Sequence, residues 1–172
     1  DVKALKKIAE DHNYTPKLIT SVEEVNDAQK LIISEKIVKK YGEDLTGKVF
    51  AIWGLAFKPG TDDMREAPAI YIVKELVRRG AKIKAYDPKA MEEAQLFYLK
   101  GVENVTYLNS KYETLHNADA MLLLTEWKEF RSPDFEEIKK QLNTPVIFDG
   151  RNQYNVFNLE EKGFEYYQIG KG

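Results

Sequence analysis

From residue 48 onward the chain alternates short apolar runs with amphipathic stretches, and this alternation most restricts the fold open to it. The runs at 48–53, 83–86, 105–108, 120–125, 146–148 and 166–169 predict strands, because they are short, rich in branched and aromatic residues, and bounded by Gly, Pro, Asn or Asp. The stretches at 67–79, 89–99, 110–117 and 133–142 predict helices. Pro68 stands in the first turn of the first of these and Gly80 just past its end. Ser132 is the expected N-cap of the last. A helix between successive strands supplies the crossover that a parallel pair requires. The chain is therefore expected to be α/β, with a doubly wound, mainly parallel sheet of about six strands.

In such sheets ligands bind beyond the carboxyl ends of the strands, at the point where strand order reverses. The loops after Trp53, Tyr86, Thr125 and Phe148 should all open on that edge. They carry the least ordinary residues of the chain: 54–68, Asp87-Pro88, Glu126-Trp127 and Asp149-Gly-Arg-Asn152. A dinucleotide fold would place Gly-x-Gly-x-x-Gly after its first strand. This chain has Gly54-Leu-Ala-Phe-Lys-Pro-Gly60, without the second and third glycines of that fingerprint. A Rossmann-like domain with a modified phosphate loop fits better. Lys58 brings a cation and Arg65 sits just before a helix N-terminus, a combination that favours a diphosphate. The alternative is a plain loop in which Arg65 pairs with Asp62 or Asp63.

Residues 1–42 read as helix throughout. Val2, Leu5, Ile8 and Ala9 recur at helical spacing, and 11–14 interrupt the pattern. A long helix is expected over about 16–41, starting at Thr15-Pro16 or at Ser21-Val-Glu-Glu24 and ending at Gly42. Its apolar stripe includes Leu18, Val22, Val25, Ala28, Ile32 and Val38. Such a face needs cover, from the following domain or from a second chain. The boundary is drawn at a polar link, giving a helical segment at 1–44 and a Rossmann-like domain at 45–172.

Bulk properties exclude several classes. With 26 basic and 28 acidic residues, the net charge of -2 leaves no footprint for nucleic acid or an anionic membrane. No apolar run approaches a membrane span. Cysteine is absent, so the chain holds no disulfide, thiolate metal site or thiol nucleophile. The two histidines, His12 and His116, are far apart and lack ligand spacing.

The stretch Gly54-Leu-Ala-Phe-Lys-Pro-Gly-Thr-Asp-Asp-Met-Arg-Glu-Ala-Pro68 resembles the signature that opens the C-terminal domain of the UDP-glucose/GDP-mannose dehydrogenase family. Tyr86-Asp87-Pro88, Thr125-Glu-Trp-Lys-Glu-Phe130 and Asp149-Gly-Arg-Asn152 are similar to further parts of it, the last two pointing to its UDP-glucose branch. Residues 1–42, including Val25-Asn-Asp-Ala-Gln29, resemble the family's central helical domain. The start of the chain resembles the continuation of a run such as Gly-Gly-Ser-Cys-Phe-Pro-Lys-Asp. The catalytic cysteine would then lie just before Asp1, and the NAD-binding domain further upstream.

The resemblance implies an enzyme that oxidises the C6 alcohol of a UDP-sugar to a carboxylate with NAD in two steps, the aldehyde being held by the cysteine between them. It implies that Asp1 assists proton transfer. It also implies that Phe57, Lys58 and Arg151 contact the substrate, UDP-glucose, while Arg65 reaches NAD. Asp149 is expected to shape its turn. Trp127 either lines the uridine pocket or packs, and packing is the expectation. The long helix at about 16–41 would form a homodimer, and the protein would be cytoplasmic. A chain without the cysteine and the NAD domain should be inactive alone. UDP-N-acetylmannosamine and GDP-mannose dehydrogenases are the alternatives within the family, and a non-enzymatic nucleotide-binding module is the alternative outside it.

Overall fold

A computed structural model describes residues 2–171. The strands are β1 (Val49–Trp53), β2 (Lys82–Tyr86), β3 (Val105–Tyr107), β4 (Ala120–Leu123), β5 (Val146–Asp149) and β6 (Glu165–Gln168). They form one sheet in the order β3-β2-β1-β4-β5-β6, and every neighbouring pair is parallel. The expected doubly wound sheet is present. Strand order reverses between β1 and β4, which therefore define the switch point. Helices cover both faces, so the central strands bury both sides. This explains why 50–53 and 120–123 read as continuous apolar runs rather than alternating ones.

The helices are α1 (Val2–Asp11), α2 (Lys17–Tyr41), α3 (Pro68–Arg78), α4 (Met91–Glu93), α5 (Lys111–Leu115) and α6 (Phe135–Gln141). The C-terminal half of α2 belongs to the core. Ile33 and Ile37 are buried there, and the Tyr41 ring meets Phe50 edge-on at 5.6 Å. The N-terminal half of α2 and all of α1 differ. No residue of α1 is buried, and Leu18 and Val25 are 80% and 67% exposed.

Three local expectations need correction. Ser21 does not start a helix; it lies inside α2, where its Oγ donates to the Lys17 carbonyl at 3.0 Å. The cap of α6 is Asp134 rather than Ser132. Its Oδ1 accepts from the Glu136 and Glu137 amides at 3.0 and 3.1 Å, and a carboxylate there also complements the helix dipole. The expected helix at 89–99 is a single α turn followed by a π-helical turn, Ala94–Tyr98. The Leu99 amide reaches back five residues to the Ala94 carbonyl at 2.8 Å. That extra residue lets Ala94 and Leu99 both reach the core while Leu96 and Phe97 point outward.

No helix among the described residues is long and apolar enough to cross a membrane.

Candidate functional site

The carboxyl edge of the sheet is stitched by a stair of backbone bonds. The Gly54 amide donates to Tyr86 at the end of β2, Leu124 to Trp53, and Gly150 to Leu123, all at 2.9 Å. Each strand end thus fixes the start of its neighbour's loop. At the switch point the fit is too close for a side chain on Gly54. A Cβ there would lie 2.5 Å from the Thr125 Cβ, and the backbone holds φ at +93°. The Thr125 hydroxyl then donates to the Ala56 carbonyl at 2.6 Å, tying the β4 loop to the β1 loop.

Asp87 anchors the same rim from below. It is fully buried, and its two oxygens accept five N–H groups. Oδ2 takes the Leu55 amide at 2.7 Å, the Ala56 amide at 3.0 Å and the Trp127 indole at 3.0 Å. Oδ1 takes the Lys89 and Ala90 amides, both at 2.8 Å. So many donors allow a carboxylate to remain buried. Trp127 is buried and packs, held by this bond. Sequence reading identified Asp87 as a strand terminator and missed its role as the hub of three loops; the signal was its place directly after a buried strand.

The 54–67 loop is folded on itself. Leu55, Ala56, Met64 and Ala67 enter the core, and the Phe57 amide bonds the Asp63 carbonyl at 2.9 Å. Anchoring these four leaves Phe57, Lys58 and Arg65 directed outward. Phe57 is 51% exposed, an unusual position for a phenylalanine, and lines a cleft of about 590 Å³ between the loop and the helical segment. Lys3, Asn26, Gln29, Lys30 and Glu66 also line it. A second cleft of about 250 Å³ shares Gln29, Lys30 and Pro68 with the first and is lined by Arg151 and Asn152. The fold thus brings Phe57 and Arg151 to adjoining clefts. Lys58 is exposed on the same loop and lines neither.

Arg65 pairs with Asp63, its NH2 lying 2.6 Å from Oδ2 and its Nε 3.0 Å from Oδ1. The Arg65 guanidinium draws the Asp63 carboxyl down to a pKa of about 2. Arg151 pairs with Glu126, NH2 donating to Oε1 at 2.9 Å. Asp149 shapes the Arg151 turn. Its Oδ1 accepts the Arg151 amide at 2.9 Å, and its Oδ2 accepts the Tyr154 amide and the Tyr166 hydroxyl, both at 2.8 Å. Burial, then the Asp149 charge, raises the pKa of the Tyr166 phenol. Asp1 lies outside the described residues.

Glu66 belongs to the signature loop, and its sequence position alone points to no role. It sits at φ +59° and accepts Lys3 Nζ at 2.7 Å, Lys30 Nζ at 2.6 Å and the Tyr71 hydroxyl at 3.1 Å. Bonds from Lys3, Lys30 and Tyr71 lower its pKa to about 2 against desolvation. Lys30 loses solvation, which alone would lower its pKa, but Glu66 and Asp27 raise it further. The carboxylate joins α1, α2 and α3 beside the first cleft. Sequence reading missed Lys30 and gave Gln29, part of the Val25–Gln29 resemblance, no role, because the helical stripe was read for its apolar residues; the clue was polar residues in the middle of it.

Comparison with known proteins agrees with this arrangement. Residues 51–156 match the UDP-glucose/GDP-mannose dehydrogenase family, UDP binding domain. The UDP-glucose 6-dehydrogenase of Pseudomonas aeruginosa is 40% identical over 99% of this chain, and that of Rhizobium meliloti is 39% identical over 99%. The chain spans 38% of the length of each of these relatives. Among solved structures, a UDP-glucose dehydrogenase from Pyrobaculum islandicum superposes with a TM-score of 0.77 at 24% identity, covering 97% of this chain and 35% of that one. That likeness shows the shared fold. A UDP-D-ManNAc dehydrogenase from Pyrococcus horikoshii gives 0.63 at 26%, covering 87% and 32%. The signature loop at the switch point, the rim it anchors and the match over 51–156 make this chain a member of the UDP-glucose/GDP-mannose dehydrogenase family, carrying that family's UDP-binding domain.

Proposed function

We propose that this chain is the nucleotide-sugar-binding part of an NAD-dependent UDP-glucose 6-dehydrogenase. The observation that carries this reading is the pair of adjoining clefts at the switch point, one lined by Phe57 and the other by Arg151. Arg151 binds diphosphate or sugar oxygens through its planar fork of donors. Phe57 offers an apolar face to the sugar or nucleotide, and Lys58 attracts the diphosphate as a mobile point charge. Glucose is favoured over N-acetylmannosamine or mannose because relatives 39–40% identical over nearly the whole chain carry the UDP-glucose name.

Bound NAD would supply the hydride acceptor. The residue of this chain that fits it is Arg65, whose side chain is 78% exposed and whose NH1 makes no hydrogen bond among the described residues. Arg65 would grip the cofactor from the loop that carries Phe57 and Lys58, so that one loop senses both ligands and favours closure. Asp1 would hold or move a proton near the reacting carbon. The chain has no cysteine, so the thiol step is not carried by its own residues, and the chain by itself should bind nucleotide without turning it over.

We also propose the division into a helical segment at 1–44 and a UDP-sugar domain at 45–172. The exposed Leu18, Val22 and Val25 support a homodimer through α2. The zero cysteine count suits a reducing cytoplasm. The test of function is turnover by the whole protein that contains this chain. UDP-glucose should be oxidised in preference to UDP-N-acetylmannosamine and GDP-mannose; preference for either of those would reassign the substrate.

A further inference from the structure

The Arg151 side chain does not hang freely over its cleft. Its Nε lies 2.5 Å from Glu126 Oε2 and its NH2 donates to Oε1 at 2.9 Å, so the carboxylate occupies one edge of the guanidinium. The Nε contact is an ion pair rather than an aligned hydrogen bond. Glu126 Oε2 is buried and has no hydrogen-bond partner among the described residues, leaving the Arg151 charge as its compensation. A guanidinium has five N–H donors, and this arrangement leaves the NH1 pair and one NH2 hydrogen for a ligand.

The backbone of Glu126 is held from both sides. Its predecessor Thr125 is bonded to the Ala56 carbonyl at 2.6 Å and packs on Gly54. Its successor Trp127 is bonded to buried Asp87 at 3.0 Å. The Glu126 backbone is therefore held in place, and its side chain links the β1 and β4 loops to the β5 loop through the ion pair and the hydrogen bond to Arg151.

We propose that Glu126 is a positioning residue for nucleotide binding: it holds the Arg151 guanidinium with its outer edge presented to the diphosphate. The proposal rests on the reading of Arg151 as a diphosphate contact. Glu126 brings a negative charge near an anion, which opposes binding. Its fixed placement offsets this by removing the rotamer freedom that a long arginine would otherwise lose on binding. Glu126 works through Arg151, so its effect must vanish when Arg151 is gone.

The test is calorimetric titration of the 172-residue chain with UDP in a double-mutant cycle. E126A should weaken UDP binding about tenfold, and E126Q, which keeps an acceptor but loses the charge, about threefold. On an R151A background neither change should alter affinity more than about twofold. If E126A does not fold, E126Q is judged by the same two criteria. Unchanged or tighter UDP binding in E126Q and E126A overturns the proposal, since the carboxylate would then be inert or a competitor. Equal weakening with and without Arg151 also overturns it, because the effect would be general to the fold. R151A binding UDP like the unaltered chain removes the diphosphate reading of Arg151 and the proposal with it. R151A weakening alone, with both Glu126 variants unchanged, removes the proposal and keeps that reading.

Discussion

Lys30 Nζ lies 2.6 Å from Glu66 Oε2, joining the long helix α2 to the loop that carries the family signature. Lys3 of α1 reaches the other oxygen of the same carboxylate at 2.7 Å. Since α1 buries none of its own residues, this carboxylate is one of the few groups holding it to the domain.

Glu66→Gln should therefore loosen α1 before anything else. Exposed ion-pair networks contribute about 1 kcal/mol after solvent screening. Amide exchange in α1 should accelerate about fivefold, with β1 and β4 unaffected. Folding lowers the Glu66 pKa from its ordinary 4.5 to about 2, so its contribution is complete above about 4.5. It is lost as pH falls from there through about 2. The α1 helix should detach in that window, and the Gln variant should show no such acid step. An unchanged acid profile in the variant would assign the step to other carboxylates.

On the proposed reading the rim cations divide by ligand. Lys58→Ala and Arg151→Ala should each weaken UDP binding about tenfold, the usual cost of losing a charge-assisted contact. Arg65→Ala should leave UDP binding within about twofold and instead raise the KM for NAD in the whole enzyme. Isothermal titration with UDP and GDP reads the first part. Equal loss in all three variants would place Arg65 on the UDP-sugar instead of NAD.

Asp87→Asn tests the hub. An amide offers one acceptor where the five N–H groups require two. Its NH2 must face either the Leu55, Ala56 and Trp127 donors or the Lys89 and Ala90 donors. The loss should be about 3 kcal/mol of stability, enough to lower the melting temperature by several degrees. Trp127 emission should change, because the carboxylate charge beside the indole N–H is lost in either orientation. A melt within a degree of the unaltered chain would show that the loops hold without the carboxylate.

The sheet was readable because the central strands β1, β4 and β5 are apolar runs closed by turn residues, and the stretches joining the strands up to β5 carry helical patterns; the β5–β6 crossover at 150–164 holds no helix. The rim was readable for the same reason: strand ends carried Gly54, Asp87, Thr125 and Asp149. What sequence could not supply was partnership between distant elements. Asp87 meets Trp127 across forty positions, and Lys30 meets Glu66 across thirty-six, both set by tertiary packing rather than local pattern. The π turn at Ala94–Tyr98 was hidden because the five-residue reach from Leu99 to Ala94 leaves the helical apolar pattern almost intact. Ser132 and Asp134 are both good caps, and only the position of the first helical turn chose between them.

The exposed apolar face of the helical segment gives the last prediction. Leu18 and Val25 stand on α2 where it projects beyond the core, and Leu5 and Ile8 of α1 are more than half exposed. Four such side chains on one projecting helical segment are costly in water and are well suited to a second copy of the same surface. Burying a leucine or valine stabilises by about 1.5–3 kcal/mol each. Leu18→Glu with Val25→Glu should then weaken self-association by at least about a hundredfold. Sedimentation velocity of the 172-residue chain at tens of micromolar should give a dimer that the double variant converts to monomer. The UDP affinity should stay within about twofold, since neither residue lines the two clefts. A monomer in the unaltered chain, or a dimer that survives both charges, would move the interface away from the N-terminal half of α2.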